Sequence, residues 1–327
     1  MYILLLSMAM AGYGDVRDGY PSWEERWTHL WTNAARVAPE EFQSEYREGG
    51  CSYDTDFSED EKQPKDPLYL DYALTEVARL HSADMAENNC FQHESCDGTD
   101  TWTRIGNYYS ESYNLGENIA YAGADGRFAV LQMWMCSHSG HRANIMNAGF
   151  NELGVGFASA GGYNFFTQDF SGGNLTDGSP PVRMAVDDHN GAFYADWGDS
   201  KAPVAMNLVL DGKKTPMELI HGVKERGIWY AKPATTDCAA WWVSWEMADG
   251  TKGSFPEDGA YQVGCETDWV AKRPSGSGSS GEDGEEKEGL GEDGLTADDI
   301  RLSSCSSVEG MALWGLVGVL GLRRRRA

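Results

Sequence analysis

The chain has 327 residues and a formal net charge of −25, and these two values set the first limits on its function. Its length suffices for two ordinary domains with additional tails. A hydrophobic fraction of 41%, with 12 Trp, 15 Tyr and 11 Phe, is enough to build a packed core. Because a strongly acidic body repels phosphate backbones, the charge argues against nucleic acid as a partner.

Residues 1–11 are predicted to be a signal peptide. Their short apolar run ends in Ala9-Met10-Ala11, which follows the small-x-small rule for cleavage. No Lys or Arg precedes Asp15, so the usual basic start is missing. The alternative is a buried N-terminal helix, but the residues that follow, Gly12-Tyr13-Gly14, do not continue one.

Two helices are expected before residue 90, separated by a loop. In the first, around 23–39, Trp23, Trp27 and Trp31 recur at helical spacing on one apolar face. The acidic stretch 40–65 is expected to be a surface loop pinned by Cys51. The second helix, 71–89, carries His81 on its apolar stripe, so His81 is interpreted as a packing residue.

Six short motifs then follow one another between residues 81 and 170: HSADM, FQHES, LGENIA, WMCSHSGHRANI, LGVGFA and FFTQDF. One such motif would be weak evidence, because short patterns recur by chance, but six in this order are specific. The region resembles the CAP superfamily of cysteine-rich secretory, antigen 5 and pathogenesis-related-1 proteins, in particular its bacterial branch. The resemblance implies a secreted α/β/α sandwich whose cleft holds two histidines and an acid. It predicts the fold better than the activity, because function depends on the site.

Three residues match the family's tetrad: His93 and His141 match its two histidines, and Glu117 matches its first acid. Without the resemblance, Glu117 would be interpreted as a helix cap or a solvated loop residue. The second acid of the animal proteins is replaced near Ser137, as is common in bacterial members. Two neutral imidazoles and one carboxylate form a suitable set for Zn²⁺ or another divalent metal, with positions left for water or a ligand. The extra histidine, His138, is expected at the surface.

Other segments, before and within this region, support this fold. Asn33 and Arg36 match the N-x-x-R pattern of the family's first helix, and the segment 102–105 resembles the W-x-R-I motif that packs beneath the cleft. A helix is predicted for 127–137, with Asp125 as its N-cap. Strands 153–158 and 163–170 are predicted to form a hairpin.

The seven cysteines are consistent with an oxidising compartment. Cys238 and Cys265 are expected to pair, since both lie in the later part of the chain. For the other four, the preferred pairing is Cys90 with Cys96 and Cys51 with Cys136, although six cysteines allow about 15 connectivities. A competing interpretation takes Cys90, His93 and Cys96 as zinc ligands, because their spacing permits it.

The pattern changes after residue 180 to short aromatic and β-branched runs with Asp-Gly turns, which favour hairpins. The fold class is therefore α+β: a CAP-type sandwich over 20–172, then a small all-β sandwich of immunoglobulin or fibronectin type over 180–272. Trp241, Trp242 and Trp245 could form a carbohydrate-binding face, but alternation along the strand favours the core for most of them.

The C-terminal part of the sequence has the features of a linker followed by a sorting signal. Residues 273–302 are rich in Gly, Ser and Glu and are predicted to be a disordered acidic linker. In 303–327, a cysteine, Cys305, precedes an apolar stretch and an arginine tail, which resembles myxobacterial sorting signals with Cys305 as the modified residue. The apolar stretch would give about 20 Å of helix, short of the roughly 30 Å hydrocarbon core. A simple C-terminal membrane anchor is the alternative.

The sequence thus predicts an exported, surface-displayed protein whose cleft binds a divalent metal and a small lipid or peptide ligand from the cell envelope or surroundings. One alternative is a non-catalytic adhesion module that binds glycans or proteins. Another is a metal-assisted hydrolase, although neither a G-x-S-x-G elbow nor an HExxH helix is present.

Overall fold

A computed structural model of the chain describes residues 12–48, 57–110, 114–137, 140–173, 179–234 and 238–274. Its helices are α1 (Trp23–Val37), α2 (Pro39–Glu48), α3 (Tyr72–Asn88), α4 (Thr101–Gly106), α5 (Gly126–Phe128), which continues into a π-helical segment (Ala129–Trp134), and α6 (His141–Ile145). Its strands are β1 (Tyr69–Leu70), β2 (Leu115–Ala122), β3 (Glu152–Ala160), β4 (Tyr163–Ser171), β5 (Ala185–Asp187), β6 (Phe193–Gly198), β7 (Ala205–Leu210), β8 (Lys213–Pro216), β9 (Glu218–Val223), β10 (Arg226–Ala231), β11 (Ala239–Glu246), β12 (Lys252–Phe255), β13 (Ala260–Val263) and β14 (Trp269–Val270).

The first helix begins where the sequence supplies a capping box. The Ser22 side chain accepts from the Glu25 backbone N–H, and the Glu25 side chain accepts from the Ser22 N–H. Trp27, Leu30 and Trp31 are buried, as their spacing predicts. Helix α3 is capped in a similar way by Asp71, whose carboxylate accepts from the Leu74 N–H at 2.7 Å.

A four-stranded sheet lies between α1 and α3. Its strand order is β1-β3-β4-β2, with β1 parallel to β3 and the other pairs antiparallel. Neighbouring residues of β4 point to opposite faces: the Thr167 hydroxyl bonds to Ser82 of α3, whereas the Gln168 amide donates to Thr32 of α1. The helices therefore cover opposite faces of the sheet, which is the layered arrangement expected for the region.

Helix α2 corrects the prediction that 40–65 is a loop throughout. Pro39 occupies the first helical position and Glu40 and Glu41 lie in the first turn, both of which favour a helix start. Phe42 is fully buried and packs against the Trp31 ring, with centroids 5.9 Å apart. The acidic composition of the stretch 40–65 obscured the single buried residue Phe42 in the sequence pattern.

Two further antiparallel sheets follow the first. One has the order β5-β6-β10-β9, and the other has the order β14-β13-β11-β7-β8 with β12 also paired to β11. Their inner faces meet through Phe193 and Trp241 (ring centroids 5.1 Å apart) and through Trp197 and Trp245 (6.0 Å). Trp241 and Trp245 are thus core residues, as alternation predicts. The immunoglobulin or fibronectin type remains a prediction.

The hydrophobic core continues from the first sheet into the later ones. The Trp31 ring of α1 lies 5.9 Å from that of Tyr194 in β6, and the Asn33 amide donates to the buried Asp196 carboxylate at 2.6 Å. All described residues belong to one compact unit, and one buried cluster includes side chains from both regions. The predicted boundaries at 172 and 180 stay predictions.

Several predicted features lie outside the described residues: the signal peptide, Cys51, His138, most of the acidic linker and the C-terminal segment with Cys305. Arg273, the first residue of the predicted linker, is anchored by hydrogen bonds to the Gly259 and Pro256 carbonyls. Within the described ranges, no helix is both long and apolar enough to cross a membrane.

Candidate metal centre

The loop that follows α3 presents His93. A disulfide between Cys90 and Cys96 closes this loop, as predicted, with Cα atoms 6.0 Å apart. The His93 carbonyl accepts hydrogen bonds from the Thr101 hydroxyl (2.8 Å) and the Arg104 Nη1 (2.9 Å). The backbone at His93 is therefore fixed from both sides, while half of its imidazole surface is exposed.

The Glu117 carboxylate forms a hydrogen bond with the His93 ring. Glu117 lies in β2 with 1% of its side chain exposed, and its Oε1 is 2.7 Å from His93 Nδ1. A carboxylate can only accept, so Nδ1 carries the proton and Nε2 is left for another partner. The hydrogen bond to Glu117 raises the pKa of His93. The other oxygen, Oε2, accepts from Arg104 Nη2. With both oxygens engaged, Glu117 is better placed to orient His93 than to coordinate a metal directly.

His141 is the first residue of α6 and follows Gly140, whose φ of 112° suits glycine. Its carbonyl accepts from the Asn118 side chain at 3.1 Å. At the other end of α6, the Arg36 guanidinium donates to the carbonyls of Ile145 (2.5 Å) and Asn147 (3.0 Å). Burial lowers the pKa of His141, and the nearby positive charge of His93 lowers it further. The two imidazoles therefore lie within electrostatic reach of each other.

A different group of residues brings three potential ligand atoms close together. Among the described residues, the ligand atoms of Asp84, Cys90 and Cys96 lie within 4.8 Å of one another, whereas those of His93, Glu117 and His141 do not form such a trio. Because Cys90 and Cys96 are joined in a disulfide, they present no thiolates, and the competing zinc interpretation of this segment loses its support. Cys238 and Cys265 also pair as predicted. Cys136 is buried, and its pairing with Cys51 stays a prediction.

Asp169 belongs to the site and was missed from the sequence. It is the direct cross-strand neighbour of Glu117 in the β2–β4 pair and is fully buried. No donor group of the described residues bonds to either of its oxygens. Burial raises the pKa of Asp169 well above its usual value, and the negative charge of Glu117 adds to the shift. A neutral Asp169 can donate to the Glu117 carboxylate. An acid inside an apolar strand, FFTQDF, is the sequence signal that could have identified it.

His81 supports the site indirectly. It is 1% exposed on α3, and its Nε2 lies 3.1 Å from the carbonyl of Gln92, the residue before His93. Burial lowers its pKa, so the neutral ring donates to that carbonyl. This agrees with the packing role predicted for it.

Residues 32–170 match the model of the CAP family, the Cysteine-rich secretory protein family. The uncharacterized protein YkwD of Bacillus subtilis (strain 168) is 36% identical over 115 residues, which are 35% of this chain and 43% of that protein. The uncharacterized membrane protein YlbC of the same organism is 38% identical over 103 residues, 32% of this chain and 28% of that protein. The chain thus spans less than half the length of the curated relatives it matches.

Among solved structures, an extracellular protein containing a SCP domain from Bacillus anthracis str. Ames is 37% identical, with a TM-score of 0.30. The match covers 33% of this chain and 34% of that one. The family model and the curated relatives thus show the same similarity to CAP proteins that the motifs between 81 and 170 indicate.

Proposed function

We propose that the cleft beside His93 and His141 binds one divalent metal ion, with the two imidazoles as ligands and Glu117 as the residue that orients His93. The observation that carries the proposal is the 2.7 Å contact between His93 Nδ1 and the buried Glu117 Oε1. Metal-binding histidines in proteins usually donate their other ring nitrogen to a carboxylate, which fixes the tautomer and strengthens the ligand.

The donor set suits Zn²⁺ or a similar borderline ion. Imidazole nitrogens bind such ions well, and two protein ligands leave positions for water or an incoming ligand. His93 is half exposed, so its Nε2 can be reached from solvent. The acidic body of the chain, at −25, raises the local concentration of cations around it.

An exposed aromatic row that begins at Phe91, two residues before His93 in the chain, supports a ligand with apolar or peptide character. Phe91, Tyr121 and Tyr163 are all exposed, and the stacked rings of Tyr121 and Tyr163 have centroids 4.5 Å apart. Phe91 continues the row at 5.9 Å from Tyr121. Exposed aromatic rings offer apolar contact area with a polar tip, which suits a lipid or peptide segment.

We further propose that the protein is exported and displayed at the cell surface. Two disulfides, Cys90–Cys96 and Cys238–Cys265, are consistent with an oxidising compartment. The predicted signal peptide and the predicted sorting signal around Cys305 point in the same direction.

Calorimetric titration of Zn²⁺ into the full chain tests the metal site. We expect saturable binding that is lost in the His93→Ala/His141→Ala double variant. His189→Ala is the matched control, because His189 Nδ1 also lies 3.1 Å from a buried carboxylate, Asp187, but His189 belongs to the loop between β5 and β6, where it stacks on Trp23. Equal binding by the double variant and the wild type, or no binding by either, would reject the metal site.

A further inference from the structure

A cationic pocket lies where α1, the segment before β1 and β10 meet. It has a volume of about 280 Å³, and its charged lining residues are Arg36, Lys65, Asp66, Arg183 and Arg226. Four cations thus face one carboxylate, in a chain whose net charge is −25. The ammonium of Lys65 is occupied by Asp60 at 3.0 Å, which leaves three guanidinium groups around the pocket.

Two of these guanidinium groups, Arg36 and Arg183, are buried and donate no hydrogen bond to a carboxylate of the described residues, although Asp66 and Asp196 lie within electrostatic range. Among the described residues, every hydrogen bond from the side chains of Arg36 and Arg183 goes to a backbone carbonyl. Burial lowers the pKa of Arg36 to about 9, and the positive charge of Arg183 contributes to that shift. Two like charges held close together away from water are costly unless a counter-charge joins them.

Arg183 is held in place to line the pocket. It is 6% exposed, its Nη2 donates to the Gly198 carbonyl at 3.0 Å, and its guanidinium lies over the Tyr69 ring at 3.9 Å. Its Nε has no hydrogen-bond partner among the described residues. A Cβ on Gly198 would lie 2.7 Å from the Pro67 ring and 3.0 Å from Arg183 Nη2, so the glycine leaves room for both side chains. The buried Asp196 carboxylate accepts from the Arg183 backbone N–H instead.

Arg226 and Asp66 form the rim. Their ion pair spans 3.3 Å between Nη1 and Oδ1, with 34% of the Arg226 side chain and 73% of the Asp66 side chain exposed. Both residues, with Arg183, also line an adjoining pocket of about 460 Å³. There is room for a compact anion at the guanidinium groups and for an attached group beside it.

We propose that this pocket binds a phosphate-type oxyanion, with Arg183 and Arg226 as its ligands and Arg36 as the buried positive charge behind it. Guanidinium groups match such oxyanions in geometry and keep their charge. The site combines residues from both regions of the chain. Arg36 lies within the part that matches the CAP family, whereas Arg183 and Arg226 follow it.

Titration of the full chain with inorganic phosphate at constant ionic strength and pH tests the proposal. We expect Arg226→Gln to weaken phosphate binding about tenfold, the effect of losing one charge-assisted contact. Lys252→Gln is the matched control: it removes the same charge from another partly exposed ion pair of the same length, with Glu246 at 3.3 Å, outside the pocket. The control should bind phosphate as the wild type does.

A second variant gives an effect in the opposite direction, which a folding defect cannot imitate. Asp66→Asn removes the one carboxylate of the lining and frees Arg226, so phosphate affinity should rise about threefold. The proposal is wrong if the wild type does not bind phosphate at about 10 mM, if Arg226→Gln and Lys252→Gln bind alike, or if Asp66→Asn weakens binding.

Discussion

At the scale of single residues, the site depends on which carboxyl group carries a charge. Glu117 is engaged by His93 and Arg104, whereas its neighbour Asp169 has no donor from the described residues. The family resemblance, and not the residue types alone, predicted His93 and Glu117 as members of one cleft. The pairing of Glu117 with Asp169 could not be predicted, because it depends on the register of two strands that are about 50 residues apart in the chain.

Asp169→Asn should make the protein more stable at neutral pH. The folded-state pKa of Asp169 is raised, so the wild-type carboxyl destabilises the fold increasingly as pH rises above its unfolded-state value of about 4. Asparagine keeps the shape and can donate to Glu117 without this cost. We expect a gain of at least about 1 kcal/mol at pH 8, which disappears near pH 4.

Thermal unfolding of both proteins at pH 4 and pH 8 checks this. A variant that is less stable than the wild type at pH 8 would mean that Asp169 is charged and stabilising in the folded state.

At the scale of elements, turn chemistry and spacing predicted much of the structure. The Asp211-Gly212 turn joins β7 to β8 with positive φ at both residues, and the predicted strands 153–158 and 163–170 lie within β3 and β4. The sequence signal for α2 was too weak against its acidic surroundings. The helix predicted for 127–137 is capped by Asp125, as predicted. It is not α-helical throughout, because residues 129–134 form a π-helix.

The contact between α3 and β3 depends on two glycines, Gly154 and Gly156, whose role a strand pattern does not reveal. A Cβ on Gly156 would lie 2.1 Å from the Ala78 backbone of α3, so Gly156→Ala must push the helix off the sheet. We expect a loss of about 2 kcal/mol in the free energy of unfolding, measured by urea denaturation.

The matched control is Gly106→Ala at the end of α4, where an added Cβ meets nothing within 4 Å and φ is not positive. It should be neutral or slightly stabilising, because alanine favours a helix. Equal effects of the two substitutions would show that the close approach at Gly156 does not govern stability.

At the scale of the whole molecule, the two predicted domains share their interior. Helix α1 contacts the first sheet through Thr32 and the later sheets through Trp31 and Asn33. The change of composition and the Asp-Gly turns after residue 180 distinguish the two regions in the sequence. They carry no information on how much surface one region buries against the other, which is why the continuous core was not anticipated.

The described part should therefore unfold in a single cooperative transition. Differential scanning calorimetry of the full chain should give one peak whose calorimetric and van't Hoff enthalpies agree. Trp241→Ala, which opens a cavity in the later sheets, should lower the temperature of the whole peak. Two separate peaks, or a shift of only one component, would contradict the shared interior.

Arg36 of α1 donates hydrogen bonds to the carbonyls of Ile145 and Asn147, so the histidine cleft depends on a residue far from it in the chain. The stretch from 93 to 169 carries all five side chains of the cleft, so it could be excised or grafted onto another scaffold. They are His93, Arg104, Glu117, His141 and Asp169. Yet the helix that carries His141 is tied down by a side chain from α1. A transplanted fragment that begins after α1 would keep all five side chains and lose the placement of the second imidazole.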